Sequence, residues 1–337
     1  MLALVAAFET GAFAEIRYSV TDLGTLGGIY SWAYDINDRG QVVGYAQTTG
    51  GSYDAFLYSS GSMTDLGTLG GTSSLAYGIN NSGQVAGWLL KSGSYDAFLY
   101  SSGRMTDLGS LGGSSSQAYR INNNGQTAGE FLQSDNHYHA CVYSTGGMTD
   151  LGVGAARAMN DSGQIVGYNS HAFLYSGGSI TDLGSLGGPG SSAYGINNSG
   201  QVVGEASTGG GEQHAFLYTG GSMTDLGSLG GSISFANDIN NNGLVVGYSY
   251  LSDNSTYHAV VSDGVGMSDL NSLIDPQSGW NLLYAEAIND NGQIVGVGYD
   301  PSGKTRAYLL TPIPEPSSPA LLALASAATL LRRKTRP

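Results

Sequence analysis

The chain has 337 residues, of which 54 are glycine and only 11% are charged, and its formal net charge is −14. This acidic balance argues against nucleic acid as a partner, because nucleic-acid-binding domains carry basic patches. Periodically placed apolar residues make up 41% of the chain, which argues against a disordered protein, and the single cysteine excludes an intramolecular disulfide.

An apolar segment opens the chain. Residues 1–14 contain the run Met1–Phe8 and end in Gly11-Ala12-Phe13-Ala14, which is typical of a signal peptide that is cleaved after Ala14. A basic segment does not precede the apolar run, so we expect the true start codon to lie upstream and the signal peptide to be truncated. The alternative is a frayed apolar N-terminus.

Seven copies of one motif follow. The Thr-Asp-Leu element begins at residues 21, 64, 106, 149, 181 and 224, and a Ser-Asp-Leu variant begins at 268. The gaps between successive copies are 43, 42, 43, 32, 43 and 44 residues. A fixed period of this size indicates a repeat architecture, which commonly presents an extended surface to a partner.

Each repeat contains four strand-length segments bounded by turn residues. In the second repeat these are Ala76–Asn80, Gln84–Leu89, Ala97–Tyr100 and Arg104–Leu108. The Asn-x-x-Gly sequence between the first two predicts a tight hairpin, because Asn and Gly tolerate the positive φ that such turns need. The fourth repeat is shortened but keeps all four segments, so we interpret it as a trimmed blade.

Four antiparallel strands in about 43 residues are typical of a β-propeller blade. The repeats begin with Arg17–Leu23, a fourth strand with no third strand before it, and end with Arg306–Leu310, a third strand with no fourth after it. We therefore predict an all-β, seven-bladed β-propeller over residues 15–312, closed by the N-terminal strand pairing with the last blade. An open β-solenoid is the alternative, but it would not need complementary ends.

The repeated polar residues are better explained by structure than by chemistry. We expect the aspartate of Thr-Asp-Leu to bind backbone N–H groups, and the Ile-Asn segments to form hairpins and not calcium loops. Histidines precede the third strand, too far from the axis to share a metal ion between blades: His139, His171, His214 and His258. With no nucleophile–base pair and no phosphate-binding loop, we predict no enzyme, no metal site and no cofactor.

Ligand-binding candidates lie in the variable loops between the second and third strands, on the same face as the crossovers to the next repeat. Four repeats open the third strand with a tyrosine and a polar residue: Tyr53 with Asp54, Tyr95 with Asp96, Tyr138 with His139, and Tyr257 with His258. An aromatic ring beside a polar side chain suits a sugar, so these are the predicted ligand-binding residues. The alternative is that the tyrosines cap the blade ends by packing.

The strings His171–Tyr175 and His214–Tyr218 both read His-Ala-Phe-Leu-Tyr, and they occur with Asp-Leu-Gly-(Ser/Thr)-Leu-Gly-Gly and Ile-Asn-x-x-Gly-Gln-Val-Val-Gly. Over about residues 18–310 this combination resembles the HAF repeat of bacterial extracellular proteins. The resemblance implies an exported repeat protein and implies little about activity. Asp54, Asp96 and Arg306 replace the eponymous histidine in three repeats, which argues against a functional ring of histidines.

The chain ends in Pro314-Glu315-Pro316, an uncharged apolar run from Ser317 to Leu331, and the basic residues Arg332, Arg333 and Lys334. These parts, in this order, resemble the PEP-CTERM sorting signal of Gram-negative bacteria. The resemblance implies that residues 313–337 anchor the protein transiently in the inner membrane, that an exosortase cleaves near Pro-Glu-Pro, and that the protein is exported. The alternative is an ordinary tail anchor.

These features predict an exported propeller that acts as a binding or structural module of the cell surface or the exopolysaccharide matrix. Its expected partner is a glycan, in the form of an extracellular polysaccharide, or another component of the cell surface. One alternative is an extracellular glycan hydrolase or lyase, which would need two carboxylates within catalytic reach at the axis or on the variable face. Another alternative is a structural surface protein with no ligand.

Overall fold

The computed structural model describes residues 17–314 apart from Leu111 and Thr145, and these residues form an all-β protein. The strands of the first half are β1 (Arg17–Asp22), β2 (Gly27–Ile36), β3 (Val42–Thr48), β4 (Tyr53–Ser59), β5 (Ser62–Asp65), β6 (Ser73–Ile79), β7 (Val85–Lys91), β8 (Ser94–Ser101), β9 (Arg104–Gly109), β10 (Ser115–Ile121), β11 (Thr127–Leu132), β12 (Tyr138–Ser144) and β13 (Gly147–Val153).

The strands of the second half are β14 (Ala155–Met159), β15 (Ile165–Tyr168), β16 (Ala172–Ser176), β17 (Ser179–Asp182), β18 (Gly187–Ile196), β19 (Val202–Thr208), β20 (Gln213–Thr219), β21 (Ser222–Asp225), β22 (Gly230–Ile239), β23 (Val245–Leu251), β24 (Tyr257–Ser262), β25 (Met267–Asp269), β26 (Asn281–Ile288), β27 (Ile294–Tyr299) and β28 (Thr305–Ile313). Two short 3₁₀ helices, Leu270–Ser272 and Pro276–Ser278, lie between β25 and β26.

Most sheets consist of strands that are neighbours in the chain. The sheets β2–β5, β6–β9, β10–β13 and β14–β17 each contain four antiparallel strands in chain order. Strands β18–β25 form one eight-stranded sheet, in which a single parallel pair, Gln213 with Ile233, joins two groups of four strands. The predicted four-stranded blades are therefore present.

The first strand pairs with the last. β1 runs antiparallel to β28, with Tyr18 opposite Pro312 and Asp22 opposite Tyr308, and the order of this sheet is β1-β28-β27-β26. The N–H of Tyr18 also donates to the carbonyl oxygen of Leu273 at 2.9 Å. Segments from opposite ends of the described chain therefore share one four-stranded sheet.

Tight hairpins join the first two strands of each group. In the turn between β2 and β3, Asn37 Oδ1 accepts hydrogen bonds from the backbone N–H groups of Arg39 and Gln41, both at 3.0 Å. The glycine of the turn has a positive φ in every copy: Gly40, Gly83, Gly125, Gly163, Gly200, Gly243 and Gly292. The predicted hairpins are confirmed.

The core lies between adjacent sheets. Phe56, Phe98 and Phe216, each from a third strand, are fully buried. The cluster around Phe98 includes Val43 of the preceding sheet, so apolar burial holds neighbouring sheets together. Cys141 takes the phenylalanine position in β12 and is buried, and burial raises the pKa of its thiol to about 12.

The aspartate of Thr-Asp-Leu lies at the end of each fourth strand. Asp65 Oδ1 accepts a hydrogen bond from the backbone N–H of Gly67 at 2.7 Å. The same contact recurs at 2.7–2.8 Å in the other copies, whose aspartates are Asp22, Asp107, Asp150, Asp182, Asp225 and Asp269. The predicted structural role is confirmed, since each carboxylate fixes the turn that leads into the crossover.

The shortened repeat forms the smallest sheet. Its strands β14–β17 have only four or five residues each, and Asn169–His171 alone connect β15 with β16. All four strands are nevertheless present, as the sequence predicts.

The described residues include no helix with the length and apolarity needed to cross a membrane. The predicted signal-peptide cleavage at Ala14 lies outside the described residues, and so do four residues of the sorting signal: Glu315, Pro316, Arg332 and Arg333. Pro314 is described, and it is exposed directly after β28.

Candidate functional site

A β-bulge interrupts the first strand of every four-stranded group. In β2 the register with β3 shifts between Ala33 and Asp35, so Tyr34 is an extra residue without an opposite partner. A bulge of this kind re-aims a side chain. The equivalent extra residues, which we call the bulge residues, are Tyr34, Tyr77, Tyr119, Arg157, Tyr194, Asn237 and Glu286.

A glycine in the second strand makes room for each bulge. A Cβ atom on Gly44 would lie 1.9 Å from the carbonyl oxygen of Trp32, and one on Gly204 would lie 1.9 Å from that of Ser192. No side chain fits at such a distance from a neighbouring backbone, so only glycine lets the two strands approach here. This contact explains why Gln-Val-Val-Gly and its variants recur along the chain.

The bulge residues converge on one cavity. Together with Arg120 they line a space of about 160 Å³, which we call the axial cavity. Because each bulge residue comes from a different first strand, the cavity lies where the first strands of the sheets meet. Every repeat therefore contributes at least one side chain to the same small volume, and β10 contributes two.

Arg120 forms the floor of the axial cavity. Its guanidinium group lies 2.8 Å from the carboxylate of Asp35 in β2 and 4.0 Å from that of Asp238 in β22. Both carboxylates also accept backbone N–H groups of a neighbouring sheet, from Ile79 at 2.8 Å and from Ile288 at 3.0 Å. Burial nevertheless raises the pKa of Asp238 to about 6, although the charge of Arg120 opposes this rise.

Glu286 makes one part of the wall acidic. Trp32 Nε1 donates to Glu286 Oε1 at 3.0 Å, and Asn237 Nδ2 donates to Oε2 at 3.4 Å. In the part of the chain that the structure describes, no lysine, arginine or histidine forms an ion pair with this carboxylate. Burial raises the pKa of Glu286 to about 7, and the hydrogen bond from Trp32 and the charge of Arg120 only partly offset that rise.

Arg157 is the basic bulge residue. Its guanidinium carbon lies 4.1 Å from the ring centroid of Tyr119 and 5.3 Å from that of Tyr168, and Nη2 donates to the Tyr168 hydroxyl at 2.7 Å. The Tyr119 hydroxyl in turn donates to Glu130 Oε1 at 2.7 Å. Cation–π contacts with two tyrosines therefore hold this guanidinium group in place.

Aromatic rings continue from the axial cavity toward the face that carries the crossovers. The ring centroid of Trp32 lies 5.3 Å from that of Tyr284 and 6.1 Å from that of Tyr34, which stacks on Tyr77 at 4.4 Å. The surrounding rings are Tyr30, Tyr45, Trp88, Tyr194, Phe235 and Tyr248. We call these rings the aromatic funnel. An apolar lining with a few convergent polar groups is typical of a ligand-binding site.

The other ends of the first strands carry two cyclic series of hydrogen bonds. Asn37 Nδ2 donates to the carbonyl oxygen of Asn80, and the same bond of 3.0–3.1 Å links successive copies until Asn289 donates to Asn37. A second series starts with the N–H of Asp38 and returns to Asp38 from Asp290. We call the members of the first series the ring asparagines: Asn37, Asn80, Asn122, Asn160, Asn197, Asn240 and Asn289.

Three of the predicted ligand-binding tyrosines lie at the rim of the aromatic funnel. Tyr95 packs edge-on against the tryptophan of β7, with 4.7 Å between ring centroids, and Tyr257 lies 4.9 Å from Tyr284. Tyr53 makes edge contacts with two tyrosines of β2 and β3. Tyr138 is 41% exposed and has no ring contact within the described residues. The structure thus brings three of the four toward the axial cavity.

The polar neighbours of these tyrosines lie on the side of the fourth strand instead. His139 Nδ1 lies 3.0 Å from the Thr-Asp-Leu carboxylate of its own sheet, and His258 Nδ1 lies 2.7 Å from the corresponding Ser-Asp-Leu carboxylate. Burial, followed by the charge of the fourth-strand aspartate, raises the pKa of Asp54 and of Asp96. Since successive side chains of a strand point to opposite faces, the structure does not bring each tyrosine and its polar neighbour together.

No group of three His, Cys, Asp or Glu side chains that could hold a metal ion occurs among the described parts of residues 17–314. His171 and His214 lie near the fourth-strand aspartates of their sheets, with closest distances of 3.0 Å and 2.9 Å. These histidines therefore have partners within their own sheets.

The sequence reasoning missed the axial cavity. The signal that could have found it is the position three residues before each ring asparagine, which is tyrosine in four repeats and Arg157, Asn237 or Glu286 in the others. A position that only maintains the fold would repeat as regularly as the ring asparagines do. A position that changes from aromatic to charged is not explained by the repeated fold alone.

The chain matches two family models. "Protein of unknown function (DUF3466)" matches residues 24–172, and "PEP-CTERM protein-sorting motif" matches residues 312–334. The second match confirms the sorting motif at the C-terminus, which implies processing by an exosortase and export to the surface of a Gram-negative bacterium. A comparison with curated protein sequences finds no match.

Several solved structures resemble this chain. "YCF48 bound to D1 peptide" has a TM-score of 0.52 at 12% identity, with 91% of this chain and 98% of that chain covered. TolB from Acinetobacter baumannii has a TM-score of 0.40 at 13% identity, with 80% of this chain and only 63% of TolB covered. The Aleuria aurantia lectin has a TM-score of 0.40 at 14% identity, with 88% and 100% covered. The similarity to YCF48 shows that the fold is a β-propeller.

Proposed function

We propose that this protein is a closed, seven-bladed β-propeller of HAF-like repeats that binds a glycan at the cell surface through its aromatic funnel. The pairing of β1 with β28 supports ring closure. The return of both hydrogen-bond series from the last repeat to the first supports it independently, because an open array would leave its end repeats without these partners. The sorting motif supports the surface location.

The observation that carries the glycan proposal is the axial cavity at the base of the aromatic funnel. Ring faces such as those of Tyr34 and Tyr284 offer stacking surfaces for the apolar face of a sugar. Asn237, Glu286 and Arg157 supply donors and acceptors for hydroxyl groups within the same lining. Rigid strands hold all of these side chains, so the site is formed before the ligand arrives.

We propose binding without catalysis. Asp35 and Asp238 are the carboxylates closest to the floor of the cavity, and both are held by Arg120 and by backbone N–H groups. A hydrolase needs one carboxylate free to protonate the glycosidic oxygen and a second free to attack or to activate water. Among the described residues, Glu286 is the one carboxyl group in the cavity lining, and the nearby Asp35 and Asp238 are engaged. A second free carboxylate does not accompany Glu286, which favours the binding module over the hydrolase or lyase.

The test is a glycan array followed by calorimetric titration of the purified protein with the exopolysaccharide of the producing cell. The variant Tyr284→Leu removes a ring of the funnel, and Tyr138→Leu is the matched control on an exposed tyrosine outside it. We expect Tyr284→Leu to weaken binding at least tenfold and Tyr138→Leu to leave it unchanged, with both variants folded by circular dichroism.

Two outcomes would contradict the proposal. If the folded wild-type protein binds no glycan, the structural surface protein without a ligand is favoured. If Tyr138→Leu abolishes binding and Tyr284→Leu does not, the ligand lies on the outer loops and not in the funnel.

A further inference from the structure

The charges around the axial cavity do not balance. Five carboxyl groups, of Asp35, Glu130, Glu205, Asp238 and Glu286, surround a region that contains two guanidinium groups, those of Arg120 and Arg157. Arg120 is shared by two of the carboxylates, and Arg157 is held by aromatic rings. Within the described residues, Glu286 therefore lines the cavity without a direct ion pair, although the charge of Arg120 in the same lining acts on it.

The hydrogen bonds to Glu286 leave it able to accept more. Trp32 donates to one carboxylate oxygen and Asn237 to the other, whereas each oxygen of a carboxylate can accept two hydrogen bonds. The cavity beside it has about 160 Å³, several times the roughly 30 Å³ that one water molecule occupies in the liquid. A ligand group can therefore reach Glu286 without displacing its protein partners.

The rings around Glu286 favour a positively charged ligand group. Trp32 holds the carboxylate through its indole N–H, and Tyr34 and Tyr284 lie within 6.1 Å of the Trp32 ring centroid. Aromatic faces attract cations, and a carboxylate at the edge of such a cluster adds an ion pair in a partly desolvated site. A site for hydroxyl groups alone would not need a partly buried carboxylate that lacks a direct ion pair, because such a group is costly to keep.

Resting on the proposed function, we infer that the axial cavity selects a glycan unit that bears a primary ammonium group, as in glucosamine, and that Glu286 is the ion-pair partner of that group. The formal net charge of −14 agrees with this class of ligand, because an acidic protein attracts a cationic polysaccharide and repels an acidic one. N-acetylation of the amine would remove both the charge and the ion pair.

The experiment compares two oligosaccharides that share one backbone. Calorimetric titration of the purified protein with a glucosamine oligomer and with its fully N-acetylated form, at pH 7, measures the preference for the amine. We expect wild type to bind the glucosamine oligomer at least tenfold more tightly, and Glu286→Gln to reduce that preference to threefold or less. The variant Glu286→Asp, which keeps the charge, should retain part of the preference.

The matched control is Glu212→Gln, which changes the net charge equally at a side chain that is 53% exposed. We expect it to keep the full preference for the glucosamine oligomer, which would exclude a general effect of net charge.

Each other outcome has its own meaning. Equal or tighter binding of the N-acetylated oligomer by wild type overturns the inference and leaves glycan binding intact. Binding of neither oligomer and of no glycan on the array overturns the proposed function itself. A third outcome is that a lysine-rich peptide binds through Glu286 and the glucosamine oligomer does not. That result would show that the ligand with the ammonium group is a protein, and it would overturn the inference that the ligand is a glycan.

Discussion

The two ends of the first strands are built from the same repeats and follow different rules. At the turn end every repeat supplies an asparagine, and each asparagine makes the same hydrogen bond to its neighbour. At the axial cavity the repeats supply tyrosine, arginine, asparagine or glutamate at one equivalent position. Repetition is kept where each repeat must fit the next one, and it is lost where all repeats face one shared space.

The largest expected effect concerns the glycines that permit the bulges. In Gly204→Ala the new Cβ atom would lie 1.9 Å from the carbonyl oxygen of Ser192, so the strands must separate or the bulge must disappear. We expect a loss of at least about 3 kcal/mol in the free energy of unfolding, or failure to fold. Urea unfolding monitored by intrinsic fluorescence measures this loss of free energy.

Gly210→Ala is the matched control for this prediction. Its new Cβ atom would lie 3.7 Å from Thr208 Oγ1, with no closer neighbour, and we expect a change within about 0.5 kcal/mol. Similar losses in both variants would show that the close approach of the strands does not require glycine at residue 204.

The second expected effect concerns the ring asparagines. Asn160 is buried, donates to Gln164 and to the carbonyl oxygen of Asn197, and accepts from two backbone N–H groups of its own turn. In Asn160→Ala the turn loses these partners, and we expect about 2–3 kcal/mol of destabilisation. Glycan binding by the folded fraction should not change. Differential scanning calorimetry and calorimetric titration report the two quantities separately.

The second series of hydrogen bonds, which starts at Asp38 and is exposed, provides the comparison with the buried ring asparagines. Asn81→Ala removes contacts to Asp38 that water can replace, so we expect a loss of about 1 kcal/mol or less. A loss in Asn160→Ala as small as that in Asn81→Ala would mean that the buried asparagines do not hold the ring together.

The sequence predicts the local parts of this molecule and not the contacts that cross it. The order of the strands, the hairpins and the aspartates at strand ends follow from residues within one repeat, which is why the structural role of Asp65 could be predicted. The bulge also lies within one hairpin, but the alternation of residues in the first strand does not mark the one that is left without an opposite partner. No local pattern shows that Arg120 reaches Asp35 and Asp238 from a third sheet.

The same distinction applies to the predicted site. Three of the four predicted tyrosines lie near the aromatic funnel, and Tyr257 contacts one of its rings. The polar residue after each tyrosine, such as His258, faces the fourth strand because strand side chains alternate. The residues that line the cavity could be recognised only once the bulges were seen to turn them inward.

The third expected effect tests the cost of the unpaired carboxylate. Burial raises the pKa of Glu286 from its ordinary 4.5 to about 7, so the folded protein holds this proton more tightly than the unfolded chain does. The contribution of Glu286 to the free energy of unfolding therefore falls as the pH rises from about 4.5 to about 7. Glu286→Gln removes this loss. We therefore expect the free energy of unfolding of the variant minus that of wild type to be about 1–2 kcal/mol larger at pH 8 than at pH 4.5.

Urea unfolding of both proteins at the two pH values gives this difference. Asp35 and Asp238, whose pKa values burial also raises, are present in both proteins and cancel in the comparison. The same pH dependence in wild type and Glu286→Gln would mean that water, and not the protein interior, surrounds this carboxylate.

The smallest expected effect lies far from the axis, at the histidine of the third strand. Burial lowers the pKa of His139, but the hydrogen bonds to Asp150 and Asp135 outweigh it and raise the pKa above 6.5. The stabilisation is therefore complete below pH 6.5 and is lost as the pH rises through the raised pKa. We expect His139→Gln to cost less than about 1 kcal/mol at pH 5.5 and still less at pH 9. Its preference for the glucosamine oligomer should equal that of wild type, because the ring of His139 faces the fourth strand. A loss of that preference in His139→Gln would move the ligand from the axial cavity to the outer strands.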